Sequence, residues 1–430
     1  MWSTPGGRGF IMLAAMSALF GFAVNAQQGL FTNFFEEVLH MEGPQFGYIT
    51  AIREVPGFFL ILLTAVLYRV SLQRVTAGAL LLFGVALALI GFTSSFWGVV
   101  PWVVLSSLGF HTVLQTQPAL GMSLTTESRS GRVLGQMAAI GQAGTFVALL
   151  VILVAFQFEL VSFRPMFVFL GVIAVLGGVA IVRFPHLHEG RAQQAAVRRE
   201  RIVFRRAYKY FYLLNLFDGA RQQIFFSFGL WVLVNRFHLG VAQISGVLLG
   251  VAFISMVSAS WVGTMIDRFG ERRTLSLVNL GFVVAFAGYA LANNVAIAIL
   301  CYMLYWFVGP VAPIGAATYL RKIAVPEEVA PSLGMGVTLL HATAIVVPVA
   351  VGYILNFVGY QVPFFIASGF ALVTFVVTLR LDPHAQRSAA RVAMDAAGAE
   401  ARAASNTGAG PDLGDAISSG PSPGGSVGGA

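Results

Sequence analysis

Charge is scarce in this chain of 430 residues: Asp, Glu, Lys and Arg make up only 10% of it. A soluble domain carries about 25%, because a surface facing water needs it. That shortage excludes an ordinary soluble globule. Cysteine is nearly absent as well. The one residue, Cys301, falls inside an apolar run, which excludes a disulfide within the chain and leaves no second thiolate for a metal cluster. Also missing are a phosphate-binding glycine loop, a cluster of His and carboxylates at metalloenzyme spacing, and a nucleophile elbow. No enzymatic activity, no cofactor and no resident metal is therefore expected, and ATP is not the expected energy source.

What the chain has in quantity is apolar surface: 57% of it is hydrophobic and its mean hydropathy is +0.80. In lipid, only helices and closed barrels satisfy their own backbone hydrogen bonds. Barrels show alternating segments of about ten residues, whereas the apolar runs here are long and unbroken. The expected fold class is all-α, a polytopic membrane protein. With about 20 apolar residues needed per span, spans are read at 9–34, 44–68, 75–94, 98–122, 132–156, 163–183, 209–234, 243–266, 273–292, 295–320, 331–356 and 361–380. The first follows Arg8 like a signal peptide, but with eleven spans behind it, it reads as the first helix.

A net charge of +8 raises the question of nucleic acid, yet the basic residues form no single patch, and no nucleic-acid partner is expected. Lys and Arg sit in alternate gaps between spans. The intervening gaps hold only Arg164 and Arg236, while Arg53 and Arg221 fall within spans. Basic loops stay on the cytoplasmic side, so the expectation is an inner-membrane, multi-pass protein with both termini cytoplasmic. A polar, arginine-rich loop divides six spans from six, giving bundles at 1–184 and 209–382 joined by 185–208. The tail, 383–430, is rich in Ala, Gly, Ser and Pro and is expected to be disordered.

The halves repeat faintly. His40 and Gln45 recur as His238 and Gln243, Leu134-Gly135 as Leu333-Gly334, and in that register Gln142 falls on His341. Parallel six-helix repeats are one established architecture for secondary transporters. Small-residue spacings, Gly131-x-x-x-Gly135 and Gly246-x-x-x-Gly250, suit close helix contact in spans 5 and 8.

Polar residues inside spans carry more information, since placing them in hydrocarbon is costly. Span 1 has Asn25 and Gln28 on one face. Span 2 has Arg53 and Glu54 followed by Pro56-Gly57. Span 4 has His111 and Gln115, span 5 Gln142, span 7 Asp218, Arg221 and Gln222, and span 11 His341. At 1.5 Å rise per residue, Glu54, His111, Asp218 and His341 each lie roughly 15 Å from one end of their span, near the midplane. Each also has a structural reading, as an ion pair or an interhelical hydrogen bond.

The loop between spans 8 and 9 reads Gly263-x-x-x-Asp267-Arg268-x-Gly270-Glu271-Arg272-Arg273. It resembles the signature loop of the major facilitator superfamily and stands where that family's second copy belongs. The first copy, between spans 2 and 3, is degenerate: Ala65, Arg69, Val70 and Leu72 occupy its positions. The resemblance extends from Arg8 to Asp382. It implies alternating access between the halves, a cavity lined by helices 1, 4, 7 and 10, and a junction made by helices 2, 5, 8 and 11. On that basis Asn25, Gln28, His111, Gln115, Asp218, Arg221 and Gln222 are expected at the substrate site. Glu54, with Arg53 or His341, is expected to couple protons, and Gly263, Asp267, Arg268, Gly270 and Arg272 to latch one conformation. The expected protein is a monomeric secondary transporter whose partners are a small solute, protons and the bilayer. A scaffold or sensor of the same shape is the alternative, and transport of a metal or its chelate a further one.

Overall fold

The computed structural model describes residues 5–59, 70–125, 130–185, 204–383 and 385–406. Among these, the expected all-α architecture is present. The helices are α1 Pro5–Glu37, α2 Gly43–Phe58, α3 Leu72–Ile90, α4 Phe96–Ser123, α5 Ser130–Gln157, α6 Phe163–Ile181, α7 Lys209–Asn235, α8 Val241–Ala290, α9 Val295–Val308, α10 Val311–Ile323, α11 Pro326–Val358, α12 Gln361–Leu379 and α13 Ala389–Asn406. Ten stretches within them are long and apolar enough to cross a membrane, and α2 and α7 stand in the second and seventh places of the chain order. The second expected span runs past Phe59 into residues outside the described set.

Spans 8 and 9 are, as expected, two helical stretches, the two parts of α8, which breaks at Gly270, where a φ of 74° and ψ of 163° suit glycine alone. Two differences from the sequence expectation have local causes. Span 10 is divided into α9 and α10 at Gly309-Pro310, where proline has no N–H to continue the ladder. The tail is not uniformly disordered, because α13 forms within it. Alanine favours helix, the Arg391–Asp395 pair at i, i+4 closes at 3.0 Å, and the Ser388 N–H donates to the Ile323 carbonyl at 2.9 Å.

The faint repeat appears as the same turn built twice. His40 and His238 both adopt positive φ, at 47° and 55°. In each, the next N–H reaches back into the preceding helix: Met41 to the Phe35 carbonyl at 2.9 Å, and Leu239 to the Leu233 carbonyl at 3.1 Å. Gln45 and Gln243 then accept from the N–H of Glu42 and Gly240, capping α2 and α8 alike.

Within the first half, α1 packs on α5 and α6, and α3 on α4 and α6. Within the second, α7 packs on α11 and α12, and α8 on α12 and α9. Side chains on the outer surface stay apolar, and Leu81, Val172, Leu300 and Val346 are all at least half exposed, as lipid contact allows. The halves meet chiefly through α2 with α11 and α5 with α8.

That meeting is uneven along the helices. One end of the molecule gathers basic residues, including Arg74, Arg132, Lys209, Arg272 and Arg321; the other holds the His40 and His238 turns. At the second end the backbones of α2 and α11 touch. A Cβ on Gly47 would run into the Pro348 carbonyl, one on Gly352 would meet Gly43, and the hydroxyls of Tyr48 and Tyr353 join across the halves. Asn33 donates to the Leu239 carbonyl at 2.9 Å and Asn235 to Glu36 at 2.6 Å. At the basic end, by contrast, Gly135 and Gly334 face open space. Of the glycines read in spans 5 and 8, Gly246 lies at ordinary contact distance from Leu153 of α5 and Gly250 close to Met303, whereas the tight backbone contact between the halves is made by α2 and α11.

At the basic end the central loop rejoins the second half through an anchor. Arg205 pairs with Glu328 at 2.5 Å and the Tyr208 hydroxyl donates to the same carboxylate at 2.6 Å. Burial and the neighbouring Glu328 push the Tyr208 phenol up to about 12.

Gly47→Val should force the touching ends of α2 and α11 apart. Spin labels at Val38 and Val358 would report this as a longer and broader distance distribution. An unchanged distribution would show that the glycine contact does not hold this end closed.

Candidate functional site

The site grows from an irregularity in α2. Pro56 lacks an N–H, so the helix cannot complete its bonding at the preceding turn. The carbonyl left without a helical donor is that of Ile52; the Ser107 hydroxyl of α4 donates to the next one along, the Arg53 carbonyl. One residue further, a Cβ on Gly57 would lie 2.6 Å from the His111 ring, so only glycine lets this imidazole rest against α2. Local backbone thus brings α4 and α2 together at Glu54.

The Glu54 carboxylate has three cationic or ionisable neighbours. Its Oε1 lies 3.7 Å from Arg53 Nε. Its Oε2 lies 3.9 Å from His111 Nε2 in the same half and 3.8 Å from His341 Nδ1 in the other. These are electrostatic approaches, longer than direct hydrogen bonds. The two imidazole rings have their centroids 6.2 Å apart.

The tautomer of His111 follows from its other contact. Nδ1 lies 2.9 Å from the Ser107 carbonyl, which can only accept, so Nδ1 carries hydrogen. A neutral His111 then turns a bare Nε2 lone pair toward Glu54. Two acceptors facing each other repel, and a proton on either one removes the conflict. The geometry therefore creates a place for a proton between a carboxylate and an imidazole.

Glu54 and Arg53 also line a cavity of about 430 Å³ between the halves. Its walls differ. From the first half come mostly polar groups, among them Asn25, Gln27, Gln28, Ser106, Gln142 and Thr145. From the second come Phe226, Leu248, Val251, Ala252, Tyr302 and Trp306, with Ser255 as a polar exception. The Asn25 amide is held by Thr145 at 2.9 Å. Tyr302 stacks on Phe225 at 5.2 Å within an aromatic cluster that stiffens its wall. Beyond Gln28 and Arg53 lies a pocket of about 20 Å³ shared with Thr32 and Ser227.

The other expected site residues are placed as follows. Asp218 and Arg221 do not line this cavity. They pair at 2.7 Å inside the second half, where Arg221 is 2% exposed, donates to Asn279 at 2.9 Å and lies over the Phe282 ring at 3.6 Å. Gln222 and Gln115 are exposed and likewise outside the cavity lining. Of the signature loop, Arg268 and Arg272 are exposed and Gly270 makes the turn, whereas Gly263 and Asp267 lie outside the residues whose side chains are described. Glu271, buried there, pairs with Lys322 at 2.7 Å.

Several cavity residues escaped the sequence reading. Ser107 stands one turn before His111 on the same face of α4, and Tyr302 and Trp306 share a face at i, i+4. Both spacings were available as signals, but Ser and aromatic residues are common in apolar spans.

Comparison with known proteins is consistent with this architecture. The family model described as Major Facilitator Superfamily matches residues 12–313 and 211–405. A tetracenomycin C resistance and export protein from Streptomyces glaucescens is 26% identical over 161 residues, covering 37% of this chain and 30% of that protein. The crystal structure of the nucleoside transporter NupG superposes with a TM-score of 0.71 at 13% identity, over 87% of this chain and 100% of that one. A bacterial homolog of the human lysosomal transporter Spinster, solved in an inward-facing and unoccupied conformation, gives 0.63 at 10% identity, over 88% and 95%.

The burial of Arg221 makes a stability prediction. Arg221→Met alone leaves Asp218 without its counter-charge and should cost about 3–5 kcal/mol, read as a lower melting temperature in detergent. Adding Asp218→Asn should recover most of the loss. A single variant that melts like the parent would mean that the pair does not hold the second half together.

Proposed function

The chain belongs to the major facilitator superfamily, and from that premise we propose that this multi-pass membrane protein is a proton-coupled secondary transporter of a small solute. The two halves rock about their junction to expose the cavity to each side in turn. The observation that carries the proposal is Glu54, approached by His111 of its own half and His341 of the other at 3.9 and 3.8 Å.

An ionised Glu54 attracts His341 across the junction whenever that imidazole is charged, and so favours the halves drawn together at this level. A protonated Glu54 needs no counter-charge and releases the attraction. Leaving it ionised without partners would cost several kcal/mol in this setting. Proton occupancy thereby biases which end of the junction opens.

The excess of Lys and Arg at one end supports a cytoplasmic basic end, with both termini there and the inner membrane as location. On that orientation the close contact of α2 and α11 lies at the outer end. The Gly263, Asp267, Arg268, Gly270 and Arg272 loop is the proposed latch, and it closes the basic end in the alternate state. Resistance and export, the role of the Streptomyces glaucescens relative, supports outward transport against entering protons.

A thermal-shift screen against metabolites, drugs and metals supplies a cargo for the decisive assay. Glu54→Gln in proteoliposomes should still bind and exchange that cargo but lose accumulation against its gradient. Retained accumulation with unchanged pH dependence would remove Glu54 as the proton carrier.

A further inference from the structure

We infer that the cargo is an uncharged, planar aromatic or heteroaromatic molecule with a hydrogen-bonding edge, held with its ring against the second half and its edge against the first. The inference rests on the transport reading above and specifies the class of solute it serves.

Charge is the first consideration. Arg53 and Glu54 are the cation and the carboxylate lining the cavity, and they lie 3.7 Å apart. Their charges offset one another. The Asp218–Arg221 pair, the other ionised group at mid-depth, is turned into the second half and bonded to Asn279. While Glu54 is ionised, the cavity therefore presents, among the described residues, no unbalanced charge to an ionic solute. A buried net charge on the cargo would have no partner, and desolvating it would be costly.

Shape and polarity are the second. The second-half wall offers the rings of Phe226 and Trp306, with the buried Tyr302 behind them. Tyr302 is fixed by stacking on Phe225, and Trp306 meets the Tyr305 ring edge-on at 5.5 Å. Aromatic surfaces held in place favour a flat partner, which offset-stacks or packs edge to face without ordering a flexible chain. Polyols gain little from such a wall.

The first-half wall supplies the opposite chemistry. Gln28 and Gln142 carry primary amides that both donate and accept, and Ser106 adds a hydroxyl. Amides recognise the alternating donors and acceptors along the edge of a heteroaromatic ring without demanding charge. Deeper in, Ser227 is 5% exposed, and its hydroxyl finds no partner in the protein although it borders the small pocket beside Gln28 and Arg53. A pocket of about 20 Å³ holds one water or one small polar substituent. The polar edge of the cargo is thus directed toward α1 and the closed end.

The two walls belong to different halves, so the ring and the edge of one molecule report the separation of those halves. Losing either wall weakens binding without touching Glu54.

Purified full-length protein in nanodiscs, with no pH gradient, is screened by thermal shift against four groups of probes. These are uncharged fused-ring heteroaromatics (caffeine, theophylline), an aromatic carboxylate (naphthoate), an aromatic quaternary ammonium ion (benzyltrimethylammonium) and a polyol (mannitol). Stabilisation should be greatest in the first group. Trp306→Ala on one wall and Gln142→Ala on the other should each weaken the best binder by roughly tenfold. Gln142 is exposed in the cavity, so its variant tests the inference even where Trp306→Ala does not fold. Greatest stabilisation by a charged probe or by mannitol, no stabilisation by any group, or parental affinity in the folded variants would overturn the inference. Because no gradient is present, such a failure leaves proton coupling standing, and loss of coupling leaves the binding result standing.

Discussion

A carboxylate set between two helical bundles in hydrocarbon must be compensated, and that need organises the middle of this protein. Glu54 has Arg53 beside it, His111 below the Gly57 gap, and His341 reaching from the other half, all within 4 Å. Gly57 and Ser107 make sense only through this demand. One makes room for the His111 ring and the other fixes its tautomer. Nearby, the Arg53 guanidinium also lies 5.8 Å over the Phe226 ring of the second half, adding a second tie across the junction.

Around that centre the two halves are alike in backbone and unlike in function. The positive-φ turns at His40 and His238 and the capping glutamines that follow occur in both halves. The interior does not repeat. One half keeps its buried ion pair to itself, sealed by Asn279 and Phe282, and shows aromatic rings to the cavity. The other shows amides and hydroxyls. A symmetric scaffold thereby holds an asymmetric site, with Glu54 and its two histidine neighbours placed where the halves meet.

Much of this is legible in the sequence. Apolar runs gave the helices and their order, and the basic gaps marked one end. The costly residues Glu54, His111 and His341 stood out because lipid tolerates so few of their kind. What stayed hidden depends on helix rotation and on partners far along the chain. Asp218 and Arg221 have the same depth and spacing as cargo ligands, and only the packing of α7 against α8 and α12 shows that Arg221 faces inward to Asn279. Small uncharged residues such as Ser106 and Ser227 gave no signal, since they are cheap in lipid. The tail was misjudged in part because composition describes flexibility but not a docking surface; α13 forms where Arg391 reaches the Ala324 carbonyl at 3.2 Å.

The central claim is that the proton state of Glu54 sets the opening of the junction. It is tested most directly by double electron-electron resonance between labels at the His40 and His238 end and at the basic end, recorded across pH in the parent protein and in Glu54→Gln. The account predicts that the parent redistributes between the two open forms as pH changes, whereas Glu54→Gln holds one distribution throughout. The same pH-dependent redistribution in both proteins would contradict it.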